Sequence, residues 1–587
     1  MKKQKVTESK PNKPVLPIFA ALCALFGCGA IIGFTVLSSP TLAWRLFTAL
    51  LPGYAICFAF LFLLVLGYGS IYPPIAYLTL PVSCLICGVR TTFVSAPYFS
   101  PLIIALVFAL LCAASVAASM WALHAFPATQ GKSGKKIPTA ALAIVGTCLA
   151  ATLSLGLFIF IFSNRLQSLQ TENTAQATIG QMLYFMQHSG QIFTTLAAGA
   201  PQSYFLTQFS PLWYLILPVY ILSKHSLLAV GIALYALMLS ALVPLWRICR
   251  RHALTPWQAA AVCAACALCP LILGGASSGG TLAMLSLPLL LWVADALESK
   301  RPYLALIPLA LCLCIGFEVT VWTTFVCLYL ALGAPRSQRR AHLVCTGTSA
   351  VALAVTAVYL AIVKSPVLTG LFSGIGWQID TKLLFIMLLL VPFALLPLLS
   401  RQKAALVLLF PLVLFHFIAS AHTYSGVFCT YAFPAVAAVV LLSVNGVAKL
   451  HTEYKGVSFA RLLPAAALCF AILLATPYVA VLTDLYATPT EQEKTDAARM
   501  QDLLDALPEN AAITASDSLL AALHDRTWLF SLDANPEHPE TNVIVLDLRE
   551  DFVPTDMEQY TVSYYESLGY TLRDDLSRDG ILAVLFK

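Results

Sequence analysis

The chain has 587 residues, 59% of them apolar and only 11% charged, with a mean hydropathy of +0.83. That composition excludes a water-soluble protein, because no soluble fold hides so much apolar surface, and it calls for a bilayer. Residues 488–587 carry 20 acidic and 7 basic groups, leaving 8 acidic and 27 basic elsewhere, so the tail reads as a water-facing domain and the rest as membrane with basic cytoplasmic loops, a layout with no case for nucleic acid.

The basic N-terminal stretch "MKKQKVTESKPNKP" precedes a long apolar run, which predicts an uncleaved first helix starting in the cytoplasm. Helices near 15–38, 44–68, 72–89 and 101–124 lead to the basic "GKSGKK" at 131–136, placed inside. Helix 138–163 then exits to a long polar stretch. The apolar segment 209–222 is long enough to suggest a span, but spanning would put "RICRR" (247–251) outside. It is therefore expected to lie flat on the outer face, with 226–246 crossing inward.

Helices 256–275 and 278–297 return the chain to "ESKR", and the apolar run 302–334 ends at the basic "APRSQRR". Both flanks are inside, so the run has to double back, with its break near "IGFE" at Gly316. Glu318, the one charge in that run, then sits at an outward apex. In lipid it would cost about 3 kcal/mol. Helices 342–363, 383–400, 404–420, 427–447 and 462–482 complete a polytopic α-helical membrane protein of about 13–15 spans.

The tail reads α/β. An amphipathic helix at 490–507 carries Met500, Leu503, Leu504 and Leu507 on one face. Strands are expected at 511–516, in "TWLFSL" and at 542–548. A helix at 517–525, capped by Ser516 or Asp517, a helix near 556–567 and a terminal strand pair turned by "SRDG" complete it. Three parts follow: N-terminal helices 1–137, a membrane domain 138–487 with a first external loop 164–225, and the extracytoplasmic α/β domain 488–587.

All 17 cysteines lie at or before Cys469, and the tail has none. "CLIC" (Cys84, Cys87) and "CAACALC" (Cys263, Cys266, Cys269) have metal-like spacing but no acidic or histidine neighbours, so they read as small core residues. Glycine-rich phosphate loops, zinc-type histidine pairs and nucleophile elbows do not occur.

Several stretches together resemble a bacterial family of predicted membrane proteins of unknown function grouped with the GT-C glycosyltransferases. They are "IGQMLYFMQHSGQIFTT" (179–195), "QFSPLWYLILPVYIL" (208–222), "VPLWRICRRHALTP", "GFEVTVW", "CTYAFPAVAAVVLL" (429–442) and the tail from "AAITASDSLLAALHDRTWLFSL" to "NVIVLDLRED". The resemblance spans roughly residues 165–560. It implies a GT-C-like architecture in a bacterial cytoplasmic membrane, with a cavity open to the outer face beneath a soluble domain. It further implies transfer of a sugar from a polyprenyl-phosphate lipid to a glycan, lipid or protein acceptor in cell-envelope assembly, with an external carboxylate as base. Several expected acid and histidine positions carry Ala175, Gly180, Gln208 and Thr430 instead, and the Lys-Glu-Asp turn is Phe317-Glu318-Val319.

Topology leaves Glu318, Glu172 and Asp380 as the external acids of the membrane part, and these are the candidate catalytic groups. Gln181, His188, Gln208, Lys364, His422, Tyr424 and Tyr431 are candidate substrate-binding residues. No cofactor follows from the residues, although a divalent cation at Glu318 is compatible with the pattern. Bland alternatives stand beside each. Glu318 could be a hydrogen-bonded acid at a hairpin apex, Glu172 a solvated loop residue, and Asp380 the salt-bridge partner of Lys382 or Lys364. Lys364 could snorkel, His416 could be a core histidine, and Trp213, Tyr214, Tyr220 and Trp377 an interfacial aromatic belt. A non-catalytic lipid-binding or scaffold protein is the second reading, a transporter the third.

Overall fold

The computed structural model describes residues 139–167, 169, 174–196, 202–206, 209–277, 281–299, 302–365, 402–419, 429, 431–453, 491–533, 541–549 and 560–587, with single positions between 382 and 400. The four expected N-terminal helices, Cys84 and Cys87, and the expected helix 462–482 lie outside them. The described part is mostly helical, with a small mixed sheet at the C-terminal end.

Helix α1 (Thr139–Gln167) leads to α2 (Thr174–Ser189), the hairpin β1 (Phe193–Thr194) and β2 (Gln202–Ser203), and a turn at Tyr204–Leu206. Next come α3 (Trp213–Leu222), α4 (Leu227–Leu239) and α5 (Leu242–Arg251), the last two forming one apolar span. A capping box starts α6 (Pro256–Ala267): Thr255 accepts from the Gln258 amide, Gln258 accepts from the Thr255 amide, and Pro256 occupies the first turn. Helices α7 (Pro270–Ser277), α8 (Ser286–Leu297), α9 (Leu306–Leu313), α10 (Phe317–Gly333) and α11 (Arg339–Ile362) follow. The segment Lys403–Ile418 changes pitch twice, from a 3-10 turn through α12 (Leu409–Val413) to a π turn at Leu414–Ile418, before α13 (Ala432–Glu453). Among the described residues, four helical stretches are long and apolar enough to cross a membrane: Ala140–Gln167, Leu227–Arg251, Gln258–Ala276 and Arg339–Ile362.

Side-chain contacts sort these elements into two ends. At the basic end, the buried Asp295 of α8 holds Arg251 at 2.7 Å and Arg247 at 3.2 Å, both from α5. Tyr329 of α10 donates to Gln402, receives a hydrogen bond from Asn445 of α13 and lies within electrostatic reach of Glu298. At the far end, the Ser210 hydroxyl donates to the Ile315 carbonyl, and Tyr359 of α11 donates to the Phe205 carbonyl. Ile315 and Tyr329 therefore sit at opposite ends, while Glu298 before the run and Tyr329 within it share one. The run 302–333 doubles back, and Gly316 is extended backbone between its two arms.

Helix α3 has both flanks at the far end, since Ser210 reaches Ile315 and His225 reaches the tail. Ten residues rise about 15 Å, too little to cross. It buries Trp213, Ile216 and Tyr220 on one stripe and exposes Leu215 and Leu222 on the other. This corrects the belt expectation: Trp213 and Tyr220 are core residues, and Tyr214 alone of the described three is exposed, donating to the Gly190 carbonyl. Cys263, Cys266 and Cys269 are fully buried in the same core.

The tail opens with α14 (Glu491–Asp505), whose Met500 and Leu504 are buried. Its sheet has the order β4-β3-β5-β7-β6, from β3 (Ile513–Ala515), β4 (Leu529–Ser531), β5 (Val543–Asp547), β6 (Thr571–Leu572) and β7 (Leu582–Phe586). The first three strands pair parallel and the last two antiparallel. Helix α15 (Val562–Ser567) packs Tyr565 onto one face. The helix expected at 517–525 is only a 3-10 turn, Asp517–Leu519, followed by further turns. The Ser516 hydroxyl makes no cap there and accepts instead from the Asp547 amide. Sheet pairing outcompetes the cap.

Candidate functional site

Glu318 occupies the first turn of α10 with 3% exposure. A carboxylate there faces the positive end of a 17-residue helix dipole, which offsets part of the cost of its burial. Its charge acts on two hydroxyls, those of Tyr204 and Tyr431. Tyr204 leaves the β1–β2 hairpin, where its amide donates to the Ile192 carbonyl at 3.0 Å. Burial first, and then the Glu318 charge, push the Tyr204 hydroxyl up to about 12. Tyr431 stands just before α13, and its approach depends on Gly275 of α7: a Cβ there would meet the Cys429 carbonyl at 2.7 Å. The expected apex is thus a closed one, roofed by the first loop. Glu318 and Tyr431 were both candidates; Tyr204 was not, and only its tyrosine type within the long polar loop could have hinted at it.

A second polar group lies one turn deeper. Trp322, four residues after Glu318, has its ring 6.2 Å from the His416 ring. His416 is fully buried in the π turn and stacks on Phe385 at 4.2 Å. Lys382, three residues before Phe385, is 6% exposed and donates to the Phe417 carbonyl at 2.5 Å. His416 is therefore a core histidine as expected, and the Lys382 ammonium meets the carbonyl of the next residue in the same turn.

The tail docks on the first loop. Gln181 of α2 is fully buried, with every amide position engaged: its nitrogen donates to Thr195 Oγ1 and to the carbonyls of Arg526 and Thr527, and its oxygen accepts from Thr194 Oγ1 and the Thr195 amide. The Thr195 hydroxyl donates to the Leu529 carbonyl, and Arg549 donates to the Leu169 carbonyl at 2.8 Å. The His524 ring nitrogens stand 3.1 Å from the His225 carbonyl and 2.8 Å from that of Ala521. A cleft of about 420 Å³ opens along this seam between Leu166, Leu227, Leu228, Gln501 and His524.

His188 is exposed at the end of α2 beside Tyr184, with Nδ1 at 2.9 Å from the Tyr184 carbonyl, apart from the Glu318 group. Lys364 is exposed just past α11 with φ +51°. Glu172, Gln208, Asp380, His422 and Tyr424 lie outside the described residues. Among the described residues no group of three His, Cys, Asp or Glu is placed to hold a metal ion.

Two crystal structures of ArnT from Cupriavidus metallidurans align with the chain. The one bound to undecaprenyl phosphate is 12% identical with a TM-score of 0.45, over 75% of this chain and 97% of that one. The apo form is 13% identical with a TM-score of 0.46, over 76% and 98%. No curated protein matches the sequence. The family described as "Predicted membrane protein (DUF2079)" matches residues 165–582, well over half of the chain, and the chain belongs to that family.

Proposed function

We propose that this is a GT-C-like membrane glycosyltransferase that takes a sugar from a polyprenyl-phosphate lipid at the far end of the bundle, which faces outside the cell, in envelope glycan assembly. The observation that carries the reading is Glu318, a buried carboxylate at a helix N-terminus within electrostatic reach of two tyrosine hydroxyls, at the end of the run that Ser210 of the first loop caps through the Ile315 carbonyl. In the proposed step Glu318 takes the proton of the acceptor hydroxyl. The acceptor oxygen forms a bond to the anomeric carbon, the bond from that carbon to the phosphate oxygen breaks, and the lipid phosphate leaves with the electron pair. Tyr204 and Tyr431 orient the acceptor. Glu172 and Asp380 are further candidate bases, with Gln208, Lys364, His422 and Tyr424 as candidate contacts to donor or acceptor.

Membranes containing the full-length protein, supplied with radiolabelled polyprenyl-phosphate sugars, test this. Transfer is expected for the wild type and a loss of about 100-fold or more for Glu318→Gln, the scale of a general base. Transfer that is indifferent to Glu318→Gln removes that residue from the chemistry. A second reading, a non-catalytic relative that binds the lipid or scaffolds an envelope complex, is favoured by Gln181, whose amide is consumed by docking the tail. Its signature is lipid binding without transfer from any donor.

A further inference from the structure

The cleft along the seam holds about 420 Å³, within the roughly 300–1,000 Å³ of ligand sites. Two membrane-long stretches meet in its lining: Ala140–Gln167 ends there at Leu166 and Gln167, and Leu227–Arg251 begins there at Leu227 and Leu228. The ends of spans stand at headgroup depth. On α1 the exposed Leu149, Leu153 and Phe160 share the face that ends at Gln167, so an apolar stripe runs along the outside of the bundle into the cleft. The tail supplies the opposite wall with Gln501, Ala522 and His524. Polar groups gather where α4 starts. The Ser226 hydroxyl accepts from the Ala229 amide, and the Leu227 and Leu228 amides precede any acceptor within the helix. Beneath them Tyr220 is fully buried against the His225 ring at 4.9 Å, and its hydroxyl has no hydrogen-bond partner among the described residues. Among the described residues no carboxylate lines the cleft; the nearby Asp505 accepts from Gln501 at 2.8 Å, and Asp525 is exposed.

We propose that the cleft seats the headgroup of an anionic bilayer glycerophospholipid, with its phosphate at the start of α4 and its chains along the α1 stripe. A purely apolar ligand would leave the Leu227 and Leu228 amides unmet, and a soluble anion would leave Leu166, Leu227 and Leu228 in water. An amphiphile satisfies both. Since one wall belongs to the membrane domain and the other to the tail, the bound lipid bridges the seam and holds the tail docked by mass action. No lining residue belongs to the Glu318 group, so the site stands whatever the transfer assay gives.

Binding of dioleoyl phosphatidylglycerol, dioleoylglycerol and glycerol 3-phosphate to the full-length protein in dodecyl maltoside micelles, read by native mass spectrometry, tests it. Phosphatidylglycerol is expected to bind about tenfold more tightly than dioleoylglycerol, the size of one charge-assisted hydrogen bond. Leu228→Glu puts a carboxylate into the cleft at a helix position that tolerates one. It is expected to weaken phosphatidylglycerol about tenfold, while Leu228→Gln stays within about twofold of wild type. Ala522→Phe fills the cleft from the tail side and should lose both lipids. Added phosphatidylglycerol should slow proteolytic release of the tail in the wild type and leave it unchanged in Leu228→Glu. A melting temperature near wild type identifies folded variants, and Leu228→Glu carries the test alone where Ala522→Phe fails to fold. Equal binding of the two lipids, displacement of phosphatidylglycerol by glycerol 3-phosphate at equal concentration, or wild-type phosphatidylglycerol binding by folded Leu228→Glu overturns the site.

Discussion

His524 of the tail lies directly over Gly180 of α2: a Cβ at position 180 would meet three atoms of that histidine at 2.6–2.8 Å, its own Cβ among them. A ring tip could swing aside, but a contact with Cβ moves the tail backbone. Gly180→Ala is therefore expected to loosen the seam by about 1–3 kcal/mol, the usual penalty for forcing a methyl into a packed contact. Limited proteolysis of the intact protein reads this out as faster release of a tail fragment of about one hundred residues. Unchanged cleavage means that the tail accommodates the methyl and the seam is soft.

Gly275 makes the corresponding contact on the membrane side, where a Cβ would stand 2.7 Å from the Cys429 carbonyl. Backbone cannot yield as a side chain does. Gly275→Ala should shift residue 429 and with it Tyr431, two residues on, away from Glu318. The expected result is a drop in melting temperature together with weakened acceptor use in the transfer assay. A variant with a wild-type melting temperature and full transfer rules out the strut.

Much of this was legible in the sequence. Basic runs at 298–301 and 336–340 fixed the doubling back of residues 302–333, because the positive-inside pattern constrains the parity of crossings whatever the fold. The same logic placed α3 on the surface. The tail strands followed from short β-branched runs between turn residues. What sequence could not supply was contact across hundreds of positions. Gln181 looked like a ligand group and turned out to bind carbonyls some 345 positions away. Lys382 and His416 looked like a loop cation and a core histidine; only packing puts them at one turn. Helicity at 517–525 was overridden because Leu519, Leu520 and Leu523 are fixed by the sheet and by α2.

Asp517 gives the tail a pH dependence. Burial, opposed by the Ser531 hydroxyl and assisted by Asp533, raises its carboxyl to about 6; burial raises Asp533 as well. An acid whose folded value is raised binds its proton more tightly in the folded state, so the stability it contributes is present at low pH and is lost as pH climbs through about 6. The tail should be more stable at pH 5 than at pH 7 by about 1 kcal/mol, less than full linkage, because Asp517 is only half-buried. Hydrogen exchange over residues 513–547 measures it. Asp517→Asn should flatten the difference, and a wild-type slope in that variant excludes Asp517 as the source.

At the basic end, Asp295 is 2% exposed and bridges Arg251 and Arg247, which are 29% and 50% exposed. Asp295→Ala leaves Arg251 next to apolar helices without its carboxylate. A loss of about 3 kcal/mol is expected, the low end for breaking a buried pair, since the arginines still reach water. Arg247→Ala should lose under 1 kcal/mol, because that contact is half solvated. The buried Cys263, Cys266 and Cys269 supply the readout, as a thiol-reactive dye labels them only on unfolding. Equal losses in the two variants would mean the pair acts through packing instead of charge.

The two-ended arrangement makes a labelling prediction that bears on every assignment above. Ser210 and Ile315 meet at one end, Glu298 and Tyr329 at the other, and α10 spans the distance between them. In a cysteine-depleted background, single cysteines replacing Lys224, Lys364 or Asp525, all exposed at the tail end, should react with a membrane-impermeant maleimide in intact cells. Cysteines replacing Arg336 or Lys403, exposed at the basic end, should react only after permeabilisation. The contrast follows from Ser210 and Tyr359 tying the first loop to the far end while Asp295 ties α5 and α8 at the basic one. Labelling at 336 and 364 from the same side would mean that α11 does not cross. The roof over Glu318 would then face the wrong compartment for an external lipid donor.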